Sequence, residues 1–258
     1  MSKIRQGFCK AEAHKLLKSL WIESPDEIDL QTLAFKAGSL SIEEGGLENS
    51  DGRIVTTGDQ GGVIRVKSGM HRGRKRFTIA HEIGHYQLHP KLRLSHNDES
   101  SNFRIWNDMN EEAEANMFAA ELLMPEFLFK PKLGREDPSL ATMDRLAEEF
   151  KTSTMATLFQ YITYTKEPLA MVVSVEGRVK WRVQSQEFKP SITRGELHKY
   201  SGASEINLGK SSDTNGLVDT PAAAWLPFED TDSDLKEDSR LLEAYGCVVT
   251  VLWLDDDL

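Results

Sequence analysis

The segment Arg76-Phe77-Thr78-Ile79-Ala80-His81-Glu82-Ile83-Gly84-His85 constrains the chain most, because it contains His-Glu-x-x-His. On a helix, residues four apart lie about 40° from each other on one face. His81 and His85 can therefore present two imidazoles to one metal ion, usually zinc. Glu82 falls outside that ligand pair but within reach of a metal-held water. Phe77, Ile79, Ala80, Ile83 and Leu88 give the helix its apolar packing. A five-residue pattern can arise by chance, so the rest of the chain must supply a third ligand. His89 stands before Pro90, a position biased out of helical geometry, which makes it a poor candidate. A metzincin arrangement would need a histidine where this chain has Lys91.

Glu111 to Leu123 reads as a second helix, ended by Pro125, with Asp108 and Glu111 at capping-box spacing. With Glu112 at zero, Ala119 falls at about −20°, Leu123 at about +20° and Asn116 at about +40°. Glu112 thus shares a face with apolar residues. Glu114 falls at about 200°, beside Glu121, and is expected to meet water; Glu111 lies at the margin. An inward carboxylate is costly unless paired or metal-bound. Glu112 is therefore the candidate third ligand, with Glu111 and Glu114 as the alternatives. Two imidazoles and one carboxylate would hold Zn²⁺ and leave a position for water. Zinc lowers the pKa of that water; Glu82 would take its proton and deliver it to a leaving amine. The expected chemistry is peptide-bond hydrolysis, with no oxyanion-stabilising residue assigned.

A chain of 258 residues can form one large domain or two modest ones. It contains no run of 18 apolar residues, so no membrane span is expected. Residues 1–7 lack the apolar centre of a signal peptide, and the only two cysteines, Cys9 and Cys247, are far apart, so a reducing cytoplasm is expected. The net charge of −10 is uneven: residues 1–90 carry 13 Lys/Arg and 11 Asp/Glu, the last 30 residues 2 and 10. An acidic C-terminal part repels phosphates, which argues against direct nucleic-acid binding. The same run reads as a solvated surface, and the basic cluster His71 to Arg76 as a solvated loop and helix start.

Along the chain, 9–21 reads as an amphipathic helix with Leu16, Leu17, Leu20 and Trp21 on its stripe. Asp29 to Ala37 reads as a short helix capped by Asp29 and stopped by Gly38. Residues 40–67 read as a small antiparallel sheet whose edge could pair with an extended peptide. Residues 91–108, including His96, read as an irregular loop. Residues 139–163 read as two helices around a Thr152-Ser153 turn, the second with Met155, Leu158, Phe159 and Ile162 on its stripe. This spacing is helix-turn-helix-like, but the second helix has no Lys or Arg. Leu169–Val175 and Arg178–Val183 read as a hairpin about Glu176-Gly177, Trp225–Phe228 as a short strand, and 246–254 as a buried strand, with Trp181, Trp225 and Trp253 as core. Residues 184–224 give no clear signal. The expected fold class is α+β, in three parts: a peptidase domain at 1–135, a helical segment at 136–165 and a β-rich domain at 166–258 that could sense a ligand or position a substrate.

Residues 76–85, Leu88-His89 and the block Glu112 to Pro125 resemble the ImmA/IrrE family of zinc metallopeptidases. The close match spans roughly residues 65–125. The resemblance implies a gluzincin-like, zincin-type core, metal ligands at His81, His85 and Glu112, and a catalytic glutamate at Glu82. It also implies a regulatory role, the cleavage of a helix-turn-helix repressor that switches on mobile-element or stress genes. Two other readings remain: a catalytically silent module that grips a repressor, and a DNA-binding regulator built on residues 139–164.

Overall fold

The computed structural model describes residues 5–48, 50–56, 61–89, 109–227 and 233–255. They form two compact units: Met1–Phe129 with Glu148–Ser153, and Lys130–Ala147 with Thr154–Leu258. The architecture is α+β, as the sequence indicated.

In the first unit, α1 (Gln6–Lys18), α2 (Leu30–Gly38), α3 (Arg72–Leu88) and α4 (Met109–Leu123) surround a sheet of β1 (Leu40–Gly45), β2 (Gly52–Thr56) and β3 (Gly62–Lys67). The sheet is mixed rather than wholly antiparallel. Its order is β1-β3-β2, with β2–β3 antiparallel and β1–β3 parallel. The core joins Leu17, Leu33, Ile64, Ile83, Phe118 and Leu122 among others. Asp29 caps α2, its side chain accepting from the Thr32 N–H. The left-handed residue that ends α2 is Ser39 (φ 55°), not Gly38. Gly38 is needed for room instead: a Cβ there would lie 2.1 Å from the Tyr86 ring of α3. Helix α1 stops at Lys18, so Trp21 leaves the expected stripe and is 84% exposed.

The basic cluster at the start of α3 is largely consumed within the unit. Arg74 bonds Asp51, Lys75 bonds Glu44, Arg72 pairs with Glu148, and Arg76 donates to the Ile28 carbonyl.

A short helix, α5 (Glu126–Phe129), closes the stretch after α4, and the expected helical segment at 136–165 forms α6 (Leu140–Phe150) and α7 (Thr154–Tyr164). Within the second unit α7 packs against the sheet strands β4 and β5, burying Thr157, Leu158, Gln160, Tyr161 and Ile162. Its apolar stripe is therefore rotated from the expected one, and Phe159 is exposed. A six-stranded antiparallel sheet follows, in the order β6-β5-β4-β9-β8-β7. Its strands are β4 (Leu169–Val175), β5 (Arg178–Gln184), β6 (Gly195–Glu196), β7 (Val218–Pro221), β8 (Asp234–Leu242) and β9 (Cys247–Trp253), with α8 (Gly202–Asn207) between β6 and β7. The predicted hairpin turn has φ 51° at Glu176 and 71° at Gly177, as a tight two-residue connection requires. Central β4 and β9 are almost wholly buried, which explains their unbroken apolar runs.

Trp225 and Leu226 are buried in an irregular segment, not a strand, and Phe228 lies outside the described residues. Trp225 belongs to the core, whereas Trp181 is exposed. The acidic run near the C-terminus is not all solvated. Glu237 and Asp238 on β8 are buried, each accepting a backbone N–H: Ala203 at the start of α8, and Leu140 at the start of α6.

Candidate metal centre

Helices α3 and α4 build the site, and their close approach depends on Gly84. A Cβ there would sit 3.1 Å from the Phe118 ring and 3.2 Å from the Ala115 carbonyl. Without that side chain α4 lies directly on the face that carries His81 and His85, and Glu112 comes within reach. His81 Nε2 and His85 Nε2 are 2.9 Å apart, and Glu112 carboxylate oxygens lie 3.4 Å from the first and 3.3 Å from the second. All three offer ligand atoms within 4.8 Å of one another. Tetrahedral zinc with bonds of 2.0–2.1 Å needs ligand atoms roughly 3.3 Å apart, so this donor set fits a single zinc-sized ion. Of the three carboxylates the sequence left open, the structure brings Glu112 to the histidines. Glu111 and Glu114 are not part of the cluster.

Burial favours the neutral form of both imidazoles. Burial, with His81 and His89 alongside, pushes His85 down to about 2, and burial also lowers His81. His81 Nδ1 donates to Asn116 Oδ1 at 2.9 Å, which leaves the lone pair of a neutral ring on Nε2, facing the cluster.

Glu82 is buried beside the cluster. Burial and the charge of Glu112 push it up to about 8, while the Ile54 N–H of β2 favours the charged form. Its Oε2 has no hydrogen-bond partner among the described residues. A buried oxygen left unpaired is expensive unless water or a ligand meets it. The site thus combines three residues that could hold a metal ion with a buried glutamate whose Oε2 has no partner among the described residues.

One expectation fails. Glu114 and Glu121 do not meet water: they are 4% and 1% exposed. Helix α1 covers that face of α4, with Arg5 paired to Glu114 and His14 to Glu121 at 2.6 Å each. The capping residue Asp108 and the loop 91–108 with His96 lie outside the described residues. The sequence reading also missed Asn116 as a partner, although its position at one turn from Glu112 was legible.

Residues 39–160, which span both helices of the site, match the family described as IrrE N-terminal-like domain. The radiation response metalloproteases IrrE of Deinococcus radiodurans and Deinococcus deserti are 30% and 29% identical to the chain over 182 and 179 residues, 69% of its length in each case. Residues 39–160 belong to the ImmA/IrrE family. An uncharacterized immunity region protein 2 of Bacillus phage phi105 is 35% identical over 65 residues, 25% of this chain and 39% of that protein. Matching regions span 54% and 60% of the two Deinococcus proteins, so this ImmA/IrrE chain corresponds to little more than half of each. A solved structure described as a Mycobacterium tuberculosis transcriptional regulator shares the fold, with TM-score 0.60 at 13% identity over 97% of this chain and 78% of its own. Metalloprotease relatives and a His/Glu cluster together imply a metal cofactor for this family member. Among the described residues no helix is long and apolar enough to cross a membrane.

Proposed function

We propose that this chain is a zinc-dependent endopeptidase that cuts a specific regulatory protein, a helix-turn-helix transcriptional repressor, in the cytoplasm. The observation that carries the reading is the convergence of His81, His85 and Glu112 on one point, next in the chain to a buried Glu82 whose Oε2 has no partner among the described residues. His81, His85 and Glu112 are the metal ligands. A zinc ion held by two imidazoles and one carboxylate supplies Lewis acidity, for the activation of water and the polarisation of a scissile carbonyl. Glu82 is the general base: Oε2 accepts the proton of the attacking water and returns it to the leaving amine nitrogen.

The substrate class rests on the resemblance at residues 76–85 and 112–125, and on the likeness to a protein from a phage immunity region. Residues 1–135 form the peptidase part, and 136–165 with 166–258 position the substrate or sense a signal. The test is to incubate the zinc-loaded protein with the repressor encoded beside it and follow cleavage by mass spectrometry. Glu82→Gln should slow cleavage by about 10²–10⁴-fold. Cleavage at the wild-type rate by that variant refutes Glu82 as the base, and no cleavage of any neighbouring regulator by wild type refutes the substrate class.

A further inference from the structure

His89 and Glu114 are both almost fully buried at the site, yet neither belongs to the metal cluster. His89 caps α3 with non-helical backbone, but its ring still lies against that of His85, with centroids 5.3 Å apart and the planes tilted by 50°. Its Nδ1 lies 3.2 Å from His85 Nδ1, and its Nε2 lies 3.3 Å from Glu114 Oε2. Glu114 is itself clamped from α1. Arg5 donates to it from its backbone N at 2.9 Å, from Nε at 3.0 Å and from a terminal guanidinium nitrogen at 2.6 Å.

The donor and acceptor roles in this chain follow from elementary chemistry. An ionised carboxylate only accepts, so His89 Nε2 carries a proton and donates it to Glu114. A neutral His89 ring then has only a lone pair at Nδ1. With a single proton on the His89 ring, His85 is therefore the donor of the two facing Nδ1 atoms. Its Nε2 is left with a lone pair, directed at His81 Nε2 and Glu112. We infer that Glu114 and His89, anchored by Arg5, form a positioning relay that locks His85 in the Nδ1–H tautomer and so presents Nε2 to the metal. The relay does for His85, through two side chains, what Asn116 does directly for His81. It also couples the first turn of α1 to the metal centre. The inference rests on the zinc-site reading above.

The test is zinc affinity of the purified full chain by chelator competition, for His89→Phe, Glu114→Leu and Glu114→Gln, with Glu121→Gln as control. Glu121 is an equally buried carboxylate of α4 that serves α1, accepting from the Glu126 N–H and pairing with His14. Outer-shell partners of a metal histidine contribute roughly 10–100-fold to metal affinity, so His89→Phe and Glu114→Leu should each weaken zinc by about that factor. Glu114→Gln, which keeps an oxygen for His89, should lose less. Glu121→Gln should bind zinc as wild type does. A long-range ¹H–¹⁵N spectrum of zinc-free wild type at pH 8 should show His85 protonated on Nδ1, and this measurement needs no variant to fold. An Nε2–H tautomer at His85 overturns the relay. So does unchanged zinc affinity in folded His89→Phe or Glu114→Leu, or an equal loss in Glu121→Gln. Failure of wild type to bind zinc removes the metal-site reading itself, whereas wild-type binding with unaffected variants removes the relay alone.

Discussion

Glu237→Gln offers a test of how the second unit is held together that is independent of the metal. The Glu237 side chain is fully buried in β8. Three donors converge on it. The Ala203 N–H and the Ser239 hydroxyl reach Oε1 at 2.8 Å each, and the Trp225 indole N–H reaches Oε2 at 2.9 Å. The carboxylate therefore ties together the start of α8, the buried indole and its own strand. Glutamine has the same shape but only one accepting oxygen. With its amide nitrogen at the Oε2 position it opposes the indole N–H. With the nitrogen at the Oε1 position it opposes the Ala203 N–H. Either way a buried donor loses its acceptor and faces another donor. Hydrogen bonds to a charged group contribute about 1.5–3 kcal/mol, and a stranded buried donor costs about 1–3 kcal/mol, so a loss of roughly 2–4 kcal/mol is expected. The assay is urea unfolding followed by near-ultraviolet circular dichroism, with Glu196→Gln as the reference substitution. Glu196 is an exposed partner of Arg178, and its loss should change stability by no more than about 0.5 kcal/mol. A Glu237→Gln midpoint indistinguishable from that of Glu196→Gln refutes the hub.

Gly84→Val should both destabilise the first unit, by about 1–3 kcal/mol from overpacking, and weaken zinc binding, because a Cβ at this position would already lie 3.1–3.3 Å from Phe118 and Ala115 of α4, and the larger side chain pushes α4 away. Thermal melting and chelator competition read the two effects, and wild-type values in both would refute the role given to Gly84. Acidification should erase the contribution of Glu114 to stability. Arg5 holds that carboxyl down to about 2, so its stabilisation is complete above the ordinary carboxylate pKa and is lost as pH falls through the folded value. Urea unfolding of zinc-free wild type and Glu114→Gln should differ by roughly 2–3 kcal/mol at pH 7, allowing for a half-exposed Arg5, and converge between about pH 4.5 and 2. A gap that stays constant from pH 7 to 3 would refute the assignment.

The parts of the fold that the sequence made legible are those where one periodicity has one cause. The buried runs of β4 and β9 and the Glu176-Gly177 turn read directly, because a central strand needs apolar residues on both faces and a tight turn needs positive φ. Helix α3 read directly for the same reason: metal spacing and apolar packing coincide on it. Strand β8 did not. Its Asp-Leu-Lys-Glu-Asp-Ser-Arg sequence looks like a solvated surface, yet Glu237 and Asp238 are buried as acceptors for helix N-termini that lie far away in the chain. Such a partner leaves no local trace, and the same holds for α8 and β7 in the stretch from 184 to 224.

Helix α4 shows why the candidate site was only half legible. The 3.6-residue periodicity placed Glu112 with Ala119 and Leu123 on one inward face; in the structure Ala119 and Leu123 are buried, whereas the Glu112 side chain, beside the two histidines, stays 38% exposed. The step from one inward face to a solvated opposite face was the error, because it assumed that α4 meets a single neighbour. It meets two, α3 on the Glu112 side and α1 on the other. A polar face can be buried when its cover brings matching partners, and α1 brings Arg5 to Glu114 and His14 to Glu121. The ligand set therefore lay within reach of a periodicity argument. The support behind it, Arg5 to Glu114 to His89, required knowing which helix lies on the far side. A burial pattern within α4 alone could not have supplied that, because Glu114 is as hydrophilic as a residue facing water.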